Sequence, residues 1–442
     1  MEARPAGERV IGVLGANVSL AWRPRAGRKA ARRRRVPGGA TVGAAAADAA
    51  SLPLSPPLPL APRAGPGSRA RPASRGAPRS PVSPPRARLS AGTALALTVA
   101  LVSAGCAAKS TPASSPQTPS PTTSTSSPAA QHAAAYVAGH LKEGDHVEGK
   151  FGADLGQTSD VALGLAATGG QPATLAKVLT YLDTHGAAYV HGDPSSGEKT
   201  GAHYAGSTGK LAFVARATGK NPASFGGLDL ISELRALMGK DGRFRDNSKF
   251  GDFSNPLGQS FDILALKRGA PEGAPKVSVD YLLTAQCTDG GFSEAYPKAG
   301  ATCSSSPDAT GLALQALVAT GNGCPAVKAL AWLTAQQLAD GAFGSKAVEA
   351  SKPATDNVNS TAYAALGLVA GGQSTAKVVS YLTSAQDPDG GLAINPGSGS
   401  KKSDIYATAQ ALNAFAGSSF LTIGPSPIAA KAIACSPAPA TT

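Results

Sequence analysis

The feature that most constrains the fold of this chain is a short segment that recurs in its C-terminal half. Three copies share one internal spacing: Gln286-x3-Gly290-x-Phe292, Gln337-x3-Gly341-x-Phe343 and Gln386-x3-Gly390-x-Leu392. The glutamines lie 51 and 49 residues apart, and an aromatic residue followed by leucine precedes each first glycine by nine positions. A fixed period of this length indicates one supersecondary unit copied in series, in which each copy buries its apolar face against its neighbours.

From residue 131 onward, two kinds of predicted helix alternate. One kind is amphipathic and leads into the repeated segment, as in residues 326–337. The other kind is apolar on every side, as in residues 308–317, and must therefore be buried all round. The apolar helices end at six evenly spaced glycines: Gly169, Gly219, Gly269, Gly321, Gly371 and Gly417. Because polar end caps of an open array are not evident, six outer and six inner helices predict an all-α, closed (α/α)6 toroid over residues 131–420.

The repeated segment itself predicts a structural role. Glutamine can bond exposed helix-end groups, glycine can supply a tight turn, and phenylalanine can fill the seam between neighbouring helix pairs. The third repeat keeps the turn at Gly242 and Phe244 but has Met238 in place of the glutamine. Phe151 is expected to be the corresponding anchor in the first repeat.

Through these segments the chain resembles the prenyltransferase/squalene-oxidase repeat family, whose terpenoid cyclase-like fold is an α/α toroid. The resemblance covers residues 131–420 and implies the fold more than an activity, because the fold also occurs in terpene cyclases, protein prenyltransferase β subunits and thioester domains. Residues 404–412, echoed by residues 308–314, are in addition similar to an inner helix of the intrinsic factor/transcobalamin-type cobalamin carriers.

The N-terminal stretch, residues 1–85, consists mostly of alanine, arginine, proline and glycine, which predicts disorder. Residues 1–90 contain seventeen basic and three acidic residues, a net charge of +14. The whole chain carries +13, so the remainder carries 13 − 14 = −1. The basic charge is therefore confined to this stretch, and no nucleic-acid partner is expected. A true translation start near Val82 is a hypothesis that would place the following segment at the N-terminus.

That segment, residues 86–106, has the layout of a secretory signal: a short basic region, an apolar region and a small-residue stop. Its end resembles a bacterial lipoprotein signal, which implies that Cys106 is lipidated and that the protein is an extracellular, membrane-anchored lipoprotein. The alternative is a secreted protein cleaved near Ala107. Residues 107–130 form a Ser/Thr/Pro-rich linker suited to a tether, and residues 421–442 form a C-terminal tail.

Four cysteines remain in the predicted exported part: Cys287, Cys303, Cys324 and Cys435. An even number in an exported chain favours disulfides. Of the three possible connectivities, we expect Cys287–Cys303 and Cys324–Cys435, a staple within one repeat and a tie from the tail to the body. A metal site is the rival interpretation, but no CxxC pair or neighbouring histidine supports it.

Motifs of the catalytic families with this fold are missing from the sequence. The Asp-x-Asp-Asp motif of terpene cyclases and the Cys-Gly-Glu-Gln of thioester proteins are absent, and aromatic residues are scarce for cation chemistry. A prenyltransferase-type zinc site would need Asp, Cys and His together, whereas all six histidines precede residue 204. We therefore predict no catalytic residues, no cofactor and no metal, and interpret the histidines as solvated surface groups.

Four aspartates lie near the starts of the predicted inner helices: Asp160, Asp262, Asp308 and Asp404. The expected role of such residues is N-capping, and the alternative is a ring of polar groups around a shared pocket. We predict that Asp308, Asn359, Asp404 and Tyr406 contact a ligand at the mouth of the ring.

The function predicted from the sequence is a monomeric, non-catalytic binding module for an amphipathic small molecule, corrinoid-like for example, or for a partner protein. One alternative is an enzyme, either of the prenyltransferase/terpene cyclase type or a polymer hydrolase, in which two carboxylates would be needed. The other is a passive scaffold with a filled ring.

Overall fold

The computed structural model describes residues 126–193, 198, 201–298, 300–347, 355–399 and 402–435. The predicted disordered stretch 1–85, the signal segment 86–106 with Cys106, and most of the linker 107–130 lie outside these residues. The described part of the chain contains twelve α-helices and two short antiparallel sheets. Within it, no helix combines the length and the apolar character that a bilayer-spanning segment needs.

The helices form two concentric layers. The six inner helices are α2 (Leu155–Thr168), α4 (Ala205–Ala217), α6 (Pro256–Gly269), α8 (Pro307–Thr320), α10 (Val358–Ala370) and α12 (Ile405–Phe415). The six outer helices are α1 (Pro128–Gly139), α3 (Pro172–His191), α5 (Leu230–Ala236), α7 (Lys276–Leu283), α9 (Gly323–Ala335) and α11 (Ala376–Ala385).

The inner layer closes on itself. Each inner helix packs against the next one along the chain, and α12 packs against α2. Each outer helix contacts the two inner helices that flank it, so α1 lies against both α12 and α2. Gln386 of the last repeat donates a hydrogen bond to the carbonyl oxygen of Ala129 in α1, at 3.0 Å. The predicted closed (α/α)6 toroid is therefore confirmed.

The inner helices are apolar because they have no solvent-facing side. Thirteen of the fourteen residues of α8 are buried, as are twelve of the thirteen residues of α10. Small residues allow these helices to approach each other closely: a Cβ atom at Gly311 of α8 would overlap the carbonyl oxygen of Tyr363 in α10. Glycine at this position therefore sets the spacing of two neighbouring inner helices.

The repeated Gln/Gly/Phe segment connects each outer helix to its neighbours, as the fourth repeat shows. Gln286 Nε2 donates to the carbonyl oxygens of Gly290 and of Pro325 at the start of α9, both at 3.0 Å. Gly290 has φ 97°, which favours glycine, and a Cβ atom there would press on the backbone of α9. The Phe292 backbone N–H donates to Thr310 Oγ1 of α8 at 2.8 Å. These contacts agree with the structural role expected for the segment.

The third repeat achieves the same connections with a different residue. Met238 replaces the glutamine, and Gln259 on inner helix α6 takes over its hydrogen bonds. Gln259 Nε2 donates to the carbonyl oxygens of Gly242 (2.8 Å) and Ser278 (2.9 Å). Gln259 Oε1 accepts from the Phe244 backbone N–H at 3.1 Å. The Gln259 side chain thus takes the place of two groups in the fourth to sixth repeats, the glutamine amide and the threonine hydroxyl.

In the first repeat the anchor is not the expected residue. Phe151 is 70 % exposed and lies in the turn between β1 (Glu148–Gly149) and β2 (Gly152–Ala153). The buried position belongs instead to Val147, whose backbone N–H donates to Thr158 Oγ1 at 3.0 Å. The expectation for Phe151 is wrong because this repeat has a two-stranded turn in place of the Gln/Gly/Phe segment.

Both expected disulfides are present, Cys287–Cys303 and Cys324–Cys435. The first closes the loop that contains strands β3 (Phe292–Ser293) and β4 (Ser305–Ser306), which pair with Phe292 opposite Ser306. The second joins the chain beyond the last helix to the start of α9. Disulfides form and persist in oxidising compartments, so these two indicate an extracellular environment.

The segment after α12 covers the end of the ring where the inner helices terminate. Phe420 is 2 % exposed and contacts the rings of Phe213, Phe261 and Tyr363 from three inner helices. Its backbone N–H donates to Gln315 Oε1 at 2.7 Å. Arg268 binds the carbonyl oxygens of Phe420 and Ile423. One end of the ring is thus filled by an aromatic side chain.

Candidate functional site

Polar side chains of the inner helices meet inside the ring, near the end where these helices begin. Positions two and six residues after each N-cap share a helix face, because residues four apart lie one turn above each other. At these positions the inner helices carry the following polar residues: Asp308, Asn359 and Tyr406 at the second, and Asp160, Lys210, Tyr363 and Gln410 at the sixth. All of them are at most 7 % exposed.

Asp308 is a predicted contact residue with a buried carboxyl group. Its Oδ2 accepts a hydrogen bond from Ser360 Oγ of the neighbouring helix α10 at 2.7 Å. Its Oδ1 is buried and has no hydrogen-bond partner among the described residues. Burial, and secondly the charge of Glu294, raise the pKa of Asp308 to about 7, against the smaller lowering effect of Ser360. A large fraction of Asp308 is therefore protonated at neutral pH.

Glu294 is the carboxyl group next to Asp308. It follows strand β3 and is half-buried, and its Oε1 accepts from Ser306 Oγ, the N-cap of α8, at 2.7 Å. Burial raises the pKa of Glu294, and the hydrogen bond from Ser306 and the charge of Lys346 partly offset this effect. The site therefore holds two neighbouring carboxyl groups, one enclosed and one closer to solvent.

A continuous hydrogen-bond network occupies the other side of the interior. Lys210 Nζ forms an ion pair with Asp160 Oδ1 at 2.7 Å. Gln410 Nε2 donates to Asp160 Oδ2 at 3.2 Å and contacts the Tyr406 hydroxyl at 2.8 Å. Asn359 Nδ2 donates to Gln410 Oε1 at 2.8 Å. The network thus joins helices α2, α4, α10 and α12 and fixes the orientation of each polar group in it.

Two tyrosines of the interior, Tyr363 and Tyr406, lie close enough to both the carboxyl pair and this network to interact electrostatically with each of them. Burial and the nearby charges of Asp160 and Asp308 raise the pKa values of Tyr406 and Tyr363 well above the usual value. The Tyr363 hydroxyl is buried without a hydrogen-bond partner among the described residues. Both phenols therefore stay protonated, and the Tyr363 hydroxyl can donate a hydrogen bond inside the ring.

Two further carboxyl groups with raised pKa values lie near the start of α4. Asp262 on α6 is fully buried against Gly209, and burial followed by the charge of Asp246 raises its pKa well above the usual value. Asp246 accepts hydrogen bonds from the backbone N–H groups of Ala205 and Phe253, at 2.8 and 3.1 Å. Burial raises the pKa of Asp246 to about 6. Carboxyl groups that hold a proton near neutral pH therefore occur on two sides of the ring.

N-capping, the expected role of the four aspartates, applies only to Asp404. Its carboxylate accepts from the Ala407 backbone N–H at 2.8 Å at the start of α12. The N-caps of the other three helices are residues further upstream: Asp154, Asn255 and Ser306. The expectation is wrong for Asp160, Asp262 and Asp308 because they lie six, seven and two residues after the N-caps of their helices.

Asp308, Asn359 and Tyr406, three of the four predicted contact residues, come together in the interior, whereas Asp404 lies at the rim as a cap. Sequence reasoning missed Lys210, Gln410 and Glu294. Lys210 could have been noticed as a charged residue within an otherwise apolar inner helix. Glu294 has no comparable signal, because only the β3–β4 turn brings it to Asp308.

A surface cavity of about 300 Å³ lies elsewhere, on outer helix α3. It is lined by Asp145, Ala176, Lys177, Thr180 and Tyr181. None of these belongs to the carboxyl pair or to the interior network, so the cavity is separate from the candidate site.

Comparison with known proteins gives similarity only at the level of structure. No family model and no curated protein matches the sequence. A type II terpene cyclase, MstE from Scytonema, is similar with a TM-score of 0.48 and 16% identity, over 65% of this chain and 96% of that chain. A glycosidase is similar with a TM-score of 0.44 and 14% identity, over 67% of this chain and 97% of that one. The ent-copalyl diphosphate synthase from Streptomyces platensis has a TM-score of 0.40 and 18% identity, over 60% and 49%.

The chain has a terpenoid cyclase-like α/α toroid fold. The prediction of a non-catalytic binding module for an amphipathic small molecule or a partner protein is contradicted by these findings, which include type II terpene cyclases and a glycosidase. The enzyme alternative agrees with them better. At this level of identity the similarity concerns the fold, and the activity has to be argued from the side chains.

Proposed function

We propose that this protein is an enzyme that uses the Asp308–Glu294 carboxyl pair for general acid–base catalysis, and that it hydrolyses a glycosidic bond in an extracellular glycan. The observation that carries the proposal is Asp308: a buried carboxyl group with a pKa of about 7, one oxygen held by Ser360 and the other without a partner among the described residues. A general acid needs such a proton at the operating pH.

Glu294 is the second carboxyl group that glycoside hydrolysis requires. Because it is half-buried and nearer to solvent than Asp308, it is placed to activate a water molecule or to act as the nucleophile. Asp308 would protonate the oxygen of the leaving group. Different environments give the two carboxyl groups different roles, which is the usual arrangement in such pairs.

The polar network supports a hydroxyl-rich substrate. Asn359 and Tyr406 lie two residues after the N-caps of α10 and α12, and Gln410 lies one turn further along α12, beside the Asp160–Lys210 ion pair. Asp308 lies two residues after the N-cap of α8, about 3 Å along the helix axis. A sugar unit that enters between the inner-helix starts would therefore meet hydrogen-bonding groups on several sides.

The test compares hydrolysis of a panel of polysaccharides and chromogenic glycosides by the wild type, Asp308→Asn, Glu294→Gln and Asp229→Asn. We expect the first two variants to lower kcat about 100-fold or more, since general acid–base catalysis contributes 10²–10⁴-fold. Asp229 caps the exposed start of α5, and asparagine caps equally well, so this control should retain activity. Unchanged hydrolysis by Asp308→Asn would refute the proposed role.

Isoprenoid cyclisation is a second candidate, supported by a specific observation. Phe213, Phe261, Phe420 and Tyr363 form an aromatic cluster inside the ring, and aromatic faces stabilise cations. Asp308 would then protonate an alkene instead of a glycosidic oxygen. Incubation with polyprenyl substrates, followed by mass spectrometry of the extracted products, separates the two candidates: cyclised products without any glycan hydrolysis would favour cyclisation.

We also propose that residues 86–106 export the protein and that Cys106 anchors it to the membrane through a lipid, with the linker 107–130 as tether. The two disulfides support export. Mass spectrometry of the mature N-terminus should find a lipid-modified cysteine. Replacement of Cys106 by alanine should release the protein into the medium, and cleavage at Ala107 without lipid would favour the secreted form.

The proposed glycan substrate needs no protein partner, and we propose a monomer.

A further inference from the structure

Two histidines and a glutamate meet between outer helices α3 and α5, away from the carboxyl pair. His191 Nε2 lies 3.0 Å from Glu233 Oε2, and His203 Nε2 lies 2.9 Å from the same oxygen. The two imidazole rings contact each other edge to face, with centroids 4.7 Å apart. Within the described part of the chain, this is the one group of three such residues whose potential ligand atoms all lie within 4.8 Å of one another.

Each side chain is fixed by a separate structural element. His191 is the last residue of α3. His203 directly precedes the N-cap of α4 and pairs through two backbone hydrogen bonds of 2.8 Å with Asn247. Glu233 lies in the first turn of α5. Because three elements converge from different parts of the second repeat and its neighbour, the cluster does not follow from one local sequence motif.

The arrangement is better suited to a metal ion than to hydrogen bonds alone. His203 Nε2 is buried and lies 2.9 Å from the carboxylate oxygen that His191 also contacts, but it makes no regular hydrogen bond to any described residue. Zinc binds imidazole nitrogen and carboxylate oxygen at about 2.0–2.2 Å. Tetrahedral geometry then separates neighbouring ligand atoms by about 3.3 Å, close to the two distances observed here.

The cluster is partly open to solvent. The side chains of His191 and Glu233 remain 37 % and 25 % exposed. Solvent therefore reaches the cluster.

We propose that His191, His203 and Glu233 bind a zinc ion with one coordination position left for water. Two histidines, one glutamate and a water are a ligand set found at zinc sites with an open position. The inference is independent of the proposed hydrolase function, since none of the three residues contributes to the Asp308–Glu294 pair or to the interior network.

The test measures zinc binding by the untagged full chain after removal of metal with a chelator and dialysis. A competition titration against a chromophoric zinc chelator should give one bound zinc per chain. We expect Glu233→Gln and His191→Asn each to weaken the affinity at least tenfold. His191 ends a helix and is partly exposed, so this variant keeps the proposal testable should Glu233→Gln fail to fold.

Two control variants match these substitutions. Glu148→Gln removes a carboxylate that lies 3.3 Å from a lone histidine, His146, and His185→Asn removes an exposed histidine. Both should bind zinc like the wild type. Zinc should also raise the Tm of the wild type and of both controls, but not that of Glu233→Gln or His191→Asn. Absence of stoichiometric zinc at micromolar concentration, or equal affinity of all variants, would overturn the proposal.

Discussion

Replacement of Asp308 by asparagine should change how the stability of the protein depends on pH. Asparagine resembles the protonated carboxyl group in shape and can still accept the hydrogen bond from Ser360. A carboxyl pKa of about 7 in the folded protein, against about 3.9 in an unfolded chain, means that folding increases proton affinity. The stability that this proton provides is fully present below the unfolded pKa and is lost as the pH rises through about 7.

The size of the effect follows from these two values. At pH 5 the folded protein retains almost the whole proton while the unfolded chain has released it, and at pH 8 both states are ionised. Between pH 5 and pH 8 the wild type should therefore lose about 3 kcal/mol of unfolding free energy relative to Asp308→Asn. Titrating groups that do not interact with Asp308 contribute equally to both proteins, so the difference between the two pH profiles reports Asp308 together with Glu294, to which it is coupled.

Urea unfolding at pH 5 and pH 8, followed by circular dichroism with the disulfides intact, measures this difference. Asp229→Asn serves as the control, because hydrogen bonds with Ser232 lower the pKa of exposed Asp229, so this group titrates below the range tested. A double difference below about 1 kcal/mol, or a wild type that gains stability towards pH 8 relative to Asp308→Asn, would mean that Asp308 is ionised at pH 5. The argument for a general acid would then fail.

Three further perturbations test the fold around the site. Lys210→Met leaves the buried Asp160 carboxylate without its cation and should destabilise the protein by about 3–5 kcal/mol in urea unfolding, whereas a loss below 1 kcal/mol would show that the ion pair is solvated. Replacing both Cys324 and Cys435 by serine should cost about 3–5 kcal/mol because the closed loop spans 111 residues, and an unchanged Tm would contradict this. Gln259→Leu removes the partner of three buried backbone groups and should cost about 3 kcal/mol, which a thermal melt would detect and a neutral result would refute.

The sequence predicted the scaffold because the scaffold is repeated. Glycines with φ between 87° and 100° follow outer helices α5, α7, α9 and α11 at a regular period in the sequence: Gly242, Gly290, Gly341 and Gly390. The six glycines at the ends of the inner helices carry the same information, and the even number of exported cysteines limited the disulfide pairings to three. These signals are local and periodic, so they do not depend on knowing which distant residues touch.

The candidate site could be predicted only in part, for two physical reasons. The inner helices begin further upstream than the aspartates suggest, so Asp308 and Asp160 lie inside the ring instead of at its rim. In addition, the pairing of strands β3 and β4 brings Glu294 next to Asp308, and this pairing leaves no periodic signal in the sequence. The histidine and glutamate cluster at His191 and His203 was missed for a similar reason, since Glu233 joins it from another helix.

Equivalent positions of the inner helices carry unlike residues near the axis of the ring. Six residues after the N-cap, neighbouring helices carry Asp160, Lys210, Phe261, Leu312, Tyr363 and Gln410 in turn. A position that served only to pack the ring would tolerate the same apolar residue in every repeat, as the buried alanines and leucines of the same helices do. Burial of charged and amide groups costs free energy unless they are paired, and here Asp160 pairs with both Lys210 and Gln410. Under the proposed function, these departures from the repeat carry the chemistry, and the repeated elements hold them in position.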